Sequence, residues 1–129
     1  MIEDLVGRLQ AAGFPGVSAS FHPVFENIDA GGTRLTTLAA RAGMTHQSMG
    51  EVVDALRERG YVERRPDPSD GRARLVCLTD TGRRLARRSL REIAAIEDEW
   101  RRHFAEAGLD RDLRSVLEDA VHRTAAGRP

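Results

Sequence analysis

Two short amphipathic segments joined by a tight turn constrain the fold of this chain more than any other feature. Apolar residues recur at helical spacing over positions 35–42, with Thr36 as the expected N-cap. Gly43 suits the left-handed position that ends a helix. Thr45 is the expected cap of a second helix that continues to about Arg59. The spacing therefore predicts a helix-turn-helix.

A β-hairpin is expected directly after the second helix. Residues 61–65 and 73–78 have the composition of strands, and the segment 66–72 between them is rich in Pro, Asp, Ser and Gly, which favour turns. A helix-turn-helix followed by a hairpin is a winged-helix arrangement. The predicted fold class is mainly α with a small β-hairpin wing (α+β).

Further helices are predicted on both sides of this core. Residues 2–11 and about 18–28 carry apolar residues at helical spacing, and Pro23 either kinks the second of these helices or marks a later start. A helix over about 79–107 would extend roughly 40 Å, so we expect part of it to pack outside its own domain. A final helix should follow Asp110.

Composition limits the class of protein and its location. A chain of 129 residues with 40% hydrophobic residues fits one globular domain. No apolar run approaches the ~20 residues of a membrane span, and residues 1–16 lack the pattern of a signal peptide. The single cysteine, Cys77, cannot form an internal disulfide and suits a reducing compartment. We therefore expect a cytoplasmic protein.

The charges are balanced overall but unevenly placed along the chain. Twenty Arg and no Lys offset twenty acidic residues. Residues 57–91 contain 11 Arg and 5 acidic residues, a net charge of +6, whereas residues 1–56 and 92–129 each carry a net charge of −3. A basic segment between acidic flanks indicates a local anion-binding surface.

The start of the second helix of the pair carries side chains suited to DNA. Gln pairs bidentately with adenine, Ser and Thr bond to base edges or phosphates, and helix N-terminal amides favour a phosphate. The alternative is a solvated polar helix start. The candidate residues in or near this helix are Thr36, Thr45, His46, Gln47, Ser48, Gly50 and Glu51.

The hairpin supplies a second set of candidates. Arg72 near its tip could enter a narrow, negatively charged minor groove, and Arg74, Arg64 and Arg65 lie on the two strands. Asp70, or Asp67 as the alternative, could hold an Arg guanidinium through a bidentate pair. The competing interpretation is a surface ion-pair network that contributes little.

Residues 33–82 resemble the winged-helix core of the MarR family of bacterial transcription regulators. The resemblance depends on stretches in matching order and spacing: Leu38-Ala39, Ala42-Gly43-Met44-Thr45, Gln47-Ser48-Met49, Val53-Asp54-Ala55-Leu56, Gly60-Tyr61-Val62-Glu63-Arg64, Asp67-Pro68-Ser69-Asp70-Gly71-Arg72-Ala73, Leu78-Thr79 and Gly82.

The resemblance implies a sequence-specific regulator of transcription, most simply a repressor. It implies a homodimer on a pseudo-palindromic operator, with residues 45–59 in the major groove and 66–73 in the minor groove. It also implies a single domain over 1–129, with a DNA-binding core at 30–78 and dimerisation helices at 1–28 and 79–125. The family's first helix is usually longer, so either the chain starts internally or residues 79–125 carry more of the dimer.

The sequence says less about whether a small ligand or an oxidant controls the protein. Many members of the family are released from DNA by a small aromatic acid or by cysteine oxidation, but Cys77 between two apolar residues is typical of a small packed side chain. Ordinary aromatic core and a pocket for a small aromatic ligand are both compatible with Phe21, His22, Phe25, Trp100 and Phe104.

Other classes of function have less support. The four His residues are scattered, so no metal site is predicted. The sequence contains no nucleophile elbow, no phosphate-binding loop and no pair of carboxylates beside a likely base, so neither an enzyme nor a cofactor is predicted. The remaining alternative is a winged-helix protein-interaction module without specific DNA recognition.

Overall fold

A computed structural model describes residues 1–107 and 113–126 of the chain. The chain divides into two compact units, residues 1–94 and 95–129. In chain order the elements are α1 (Ile2–Ala11), a 3₁₀ turn (Ala19–Phe21), α2 (His22–Asn27), α3 (Leu35–Ala42), α4 (His46–Glu58), β1 (Val62–Asp67), β2 (Asp70–Leu78), α5 (Asp80–Glu106) and α6 (Leu113–Ala126).

The helix-turn-helix is formed by α3 and α4. Gly43 adopts φ 64° and ψ 30°, the left-handed conformation predicted for it. The predicted Thr45 cap is also confirmed, because its hydroxyl oxygen accepts a hydrogen bond of 3.1 Å from the Ser48 amide. The prediction for Thr36 is wrong: α3 begins at Leu35, so Thr36 lies inside the first turn, and Arg34 occupies the N-cap position without a side-chain cap.

The wing is longer and its turn tighter than predicted. The strands pair antiparallel from Val62 opposite Leu78 to Asp67 opposite Asp70, with an irregularity at Pro66. Only Pro68 and Ser69 remain between the strands, because the Asp67 carboxylate accepts hydrogen bonds from Ser69 and closes the turn locally.

An isolated bridge extends this small sheet. The backbones of Thr33 and Val76 exchange two hydrogen bonds of 2.9 Å, which bring the segment before α3 alongside β2. Periodicity gave no signal for this contact.

The segment 18–28 does not form the single helix that its apolar spacing predicts. A 3₁₀ turn precedes α2, and Pro23 lies in the first turn of α2, where a missing amide hydrogen costs nothing. The alternative of a later start at Pro23 is therefore confirmed. The helices predicted over 2–11 and 79–107 match α1 and α5, whereas Asp110 lies outside the described residues.

The core of the first unit fixes α4 through its apolar face. Met49, Val53 and Leu56 are fully buried, together with Leu38 of α3 and Val24 of α2. Burial of each such side chain contributes roughly 1.5–3 kcal/mol. Because this face is committed to the core, α4 presents its other faces to solvent.

The beginning of α5 packs directly on the chain entering the wing. A Cβ atom placed on Gly82 would lie only 2.0 Å from the Tyr61 carbonyl oxygen. The Thr79 hydroxyl accepts a hydrogen bond of 3.0 Å from the Gly82 amide, and the Thr79 amide donates to the Tyr61 carbonyl. This close approach anchors the base of the wing.

The second unit carries exposed apolar side chains. The rings of Trp100 and Phe104 contact each other, with centroids 5.9 Å apart, and both are exposed. Leu117 and Val121 of α6 are also exposed. None of the helices in the described ranges is long and apolar enough to span a membrane.

Candidate nucleic-acid interface

The first turn of α4 presents polar side chains to solvent. Thr45, His46, Gln47 and Ser48 are all exposed. The Thr45 hydroxyl donates to the Ser48 hydroxyl at 2.9 Å and accepts from the Ser48 amide, so these two residues are partly committed to the cap. The side chains of His46 and Gln47 have no hydrogen-bond partner among the described residues. They are the members of this group most available to a ligand.

The remaining helix candidates flank this turn. Glu51 is exposed on α4, and Thr36 is exposed on α3. Gly50 is partly buried, and a Cβ atom there would make an ordinary van der Waals contact of 3.8 Å with the Leu35 side chain, so packing between α3 and α4 does not require a glycine at this position.

The wing brings four arginines together on one hairpin. Arg72 and Arg74 of β2 are exposed and pair with no carboxylate among the described residues. Arg64 of β1 approaches Asp54 of α4 at 3.6 Å. Arg65 pairs with Glu63 beside it. Exposed pairs of this kind contribute little stability, so both arginines remain exchangeable for a phosphate partner.

The acidic residues of the wing do not hold Arg72 as the sequence suggested. The Asp70 carboxylate accepts a hydrogen bond of 3.1 Å from the backbone amide of Arg72 rather than from its guanidinium. Asp67 pairs with Arg34, not with a wing arginine. Both carboxylates therefore shape the turn and leave the Arg72 guanidinium without a carboxylate partner in the described part of the chain.

Arg34 is the residue that the sequence interpretation missed. Its Nε and Nη2 atoms lie 2.9 Å and 2.8 Å from Asp67 Oδ2, and Asp67 is buried with 7% exposure. Hydrogen bonds from Ser69 and Arg34 lower the pKa of Asp67 to about 2, with Ser69 the larger cause. The signal available in the sequence was local: Asp67 stands two residues before Ser69, the spacing of an Asx turn.

A cavity of about 260 Å³ lies elsewhere in the first unit. Three of the predicted pocket residues, Phe21, His22 and Phe25, line it. The other lining residues come mainly from α1, the 3₁₀ turn and α5: Ile2, Leu5, Val6, Leu9, Val17, Ser18, Ala19, Glu26, Leu85, Ala86, Ser89, Leu90 and Ile93. His22 and Glu26 lie 3.2 Å apart, and they are the ionisable members of this set. Trp100 and Phe104 belong to the second unit, so their place in a pocket stays a prediction.

Cys77 occupies a packed position on β2. Its side chain has 8% exposure, and its Sγ atom would lie 2.5 Å from a Cβ atom on Gly32, whose φ is 97°. The packed interpretation of Cys77 therefore fits the structure. Across residues 1–107 and 113–126, no three His, Cys, Asp or Glu side chains converge as metal ligands would.

Comparison with known proteins identifies the family. Residues 16–73 match the model of the MarR family. The PcaV transcriptional regulator from Streptomyces coelicolor, crystallised with its natural ligand, is 30% identical to this chain, with a TM-score of 0.59. The match covers 95% of this chain and 90% of the PcaV chain. This chain belongs to the MarR family.

Two further relatives of this MarR-family chain are informative. The transcriptional repressor CouR, bound to a 23-mer DNA duplex, is 27% identical with a TM-score of 0.64, over 96% of this chain and 83% of CouR. An HTH-type transcriptional regulator of Mycobacterium tuberculosis is 35% identical over 86 residues, which cover 65% of this chain. The match spans only 55% of that relative.

Proposed function

We propose that this MarR-family protein is a sequence-specific, double-stranded DNA-binding regulator of transcription. One observation carries the proposal: α4 buries one face completely and presents Gln47 and His46 beside a wing that carries Arg72 and Arg74. Within residues 1–107 and 113–126, the first two side chains have no hydrogen-bond partner and the two guanidinium groups have no carboxylate partner. A helix start that offers hydrogen-bond donors and acceptors, next to a basic hairpin, matches the two grooves of a DNA duplex.

The residues divide into two roles. Gln47 and His46 contact base edges in the major groove. Thr45, whose hydroxyl caps the helix, and Ser48, whose hydroxyl accepts a hydrogen bond from that of Thr45, contact phosphate near the positive helix N-terminus. Arg72 enters the minor groove and Arg74 contacts the backbone.

Arg64 and Arg65 exchange their exposed acidic partners for phosphates, and Thr36 and Glu51 lie at the margin of the contact. The basic segment 57–91 supplies most of the salt-dependent affinity.

Repression by a homodimer on a pseudo-palindromic operator, in the cytoplasm, completes the proposal. CouR supports it as a repressor solved on a DNA duplex at 27% identity. The exposed apolar residues Trp100, Leu117 and Val121 supply surface that a partner protomer would cover.

The cavity in the first unit is the proposed effector site, consistent with the ligand found in PcaV. Its walls are largely aliphatic and aromatic, which suits a small aromatic ligand. The described residues that line it include no Arg, and His22 is already paired with Glu26. An uncharged aromatic compound therefore fits this lining better than an aromatic acid, whose carboxylate would lie near that of Glu26.

Selection of bound duplexes from a random library tests the proposal. The wild-type protein should enrich an inverted repeat, and Gln47→Ala should enrich a repeat with relaxed preference at one position of each half-site. Absence of any enriched sequence would contradict specific DNA recognition and leave the winged helix as a protein-interaction module.

A further inference from the structure

Both oxygens of the Asp67 carboxylate are engaged around the wing turn. Oδ1 accepts from the amide and the hydroxyl of Ser69, at 2.9 Å and 2.7 Å. Oδ2 accepts a hydrogen bond of 2.9 Å from Nε of Arg34 and forms an ion pair with Nη2 at 2.8 Å. One side of Asp67 therefore shapes the turn, and the other ties that turn to a residue 33 positions earlier in the chain.

Arg34 stands at the N-cap of α3, where the backbone is fixed on both sides. Immediately before it, Thr33 exchanges two backbone hydrogen bonds with Val76 of β2. Immediately after it, α3 packs through fully buried Leu38. The guanidinium thus reaches the wing from a rigid base, and its Nη2 atom also lies 4.0 Å from Asp70 Oδ2, on the other strand of the wing.

The pair differs from the other ion pairs of the wing. Arg64 with Asp54 and Arg65 with Glu63 join exposed side chains, whereas Asp67 retains 9% of its side-chain exposure. A charge-assisted pair with one buried partner holds its geometry better than an exposed pair, because solvent screens it less. Loss of Arg34 would leave a buried carboxylate without its cation.

We infer that Arg34 is a positioning residue for DNA binding, which fixes the angle of the wing through Asp67 and thereby places Arg72 in the minor groove. This inference depends on the proposed function. A hairpin attached only at its base would reach the groove at many angles, and ordering it on binding would cost free energy. The contact between Arg34 and Asp67 removes that freedom before DNA arrives.

The test compares Arg34→Gln, Asp67→Asn and the double variant on the duplex selected by the wild-type protein. Each single variant should weaken DNA binding about tenfold. The double variant should bind no more weakly than either single variant, because both substitutions remove the same contact between Arg34 and Asp67. Arg34→Lys should restore part of the affinity. The footprint should lose minor-groove protection at the wing while retaining the protection and base preference of the α4 half-site.

A matched control lies at the other end of the same helix. Arg41 of α3 is as exposed as Arg34 and pairs with Asp29 at 3.0 Å, away from the wing. Arg41→Gln removes the same charge and should leave affinity within about twofold of wild type. An equal loss in Arg41→Gln would show that overall charge, not wing position, explains the effect.

Two further results would overturn the inference. Additive losses, together with a lower salt dependence in Arg34→Gln alone, would make Arg34 a direct phosphate contact. Unchanged amide hydrogen exchange at Ser69 and Arg72 in DNA-free Arg34→Gln would show that the wing does not depend on Arg34. The exchange measurement needs no DNA, so it tests the wing even if the wild-type protein binds none, an outcome that would instead refute the proposed function.

Discussion

Replacement of Arg72 by alanine should separate DNA affinity from stability. Arg72 is exposed, its guanidinium pairs with no carboxylate in the described ranges, and its backbone amide bond to Asp70 survives the change. The free energy of unfolding should therefore stay within about 0.5 kcal/mol of wild type. Loss of a groove contact should weaken operator binding by about 1–3 kcal/mol, roughly 5- to 150-fold in Kd.

The assay combines fluorescence anisotropy on the selected duplex with urea denaturation of the same samples. Arg65→Ala serves as the matched control, because it removes an arginine of the same hairpin that already pairs with Glu63. Its loss of affinity should be smaller than that of Arg72→Ala. Unchanged affinity in Arg72→Ala, or a loss equal to the control's, would refute insertion of the wing into the minor groove.

Three other variants test the site and its support. Gln47→Ala should relax base preference more than it lowers affinity, and a variant that binds weakly with unchanged preferences in the duplex selection would contradict base recognition by Gln47. Gly82→Ala should lower stability by about 1–3 kcal/mol in urea melts, because its Cβ would lie 2.0 Å from the Tyr61 carbonyl oxygen; equal stability would mean that α5 shifts freely. The hydrogen bonds that lower the pKa of Asp67 to about 2 favour its ionised carboxylate in the folded protein. The carboxylate should therefore stabilise the fold above about pH 4, and this stabilisation should be lost as the pH falls towards about 2. Asp67→Asn should therefore melt at a lower temperature than the wild type at about pH 5, and the difference should narrow by about pH 2. A difference in melting temperature that stays constant with pH would contradict the lowered pKa of Asp67.

Local chemistry made the helix-turn-helix predictable from the sequence. Gly43 needs a left-handed backbone and Thr45 caps its own helix, so a few neighbouring residues decide both features. The hairpin was located correctly, but its turn was overestimated, because an Asx turn at Asp67 closes it within two residues.

Tertiary contacts account for what the sequence did not reveal. Arg34 and Asp67 are 33 positions apart, and Thr33 and Val76 are further apart still. No periodicity records such pairs, since only the folded backbone brings them together. For the same reason Arg34, an isolated cation in the sequence, was absent from the predicted site.

Salt-titrated binding of the wild-type protein to its selected duplex is the most direct test of DNA recognition by α4 and the wing. Two chains should occupy one inverted repeat, and log Kd should rise linearly and steeply with log salt concentration, because Arg72, Arg74 and their neighbours release counterions. A flat salt dependence, or one chain on an asymmetric site, would contradict a dimeric regulator that reads DNA through α4 and the wing.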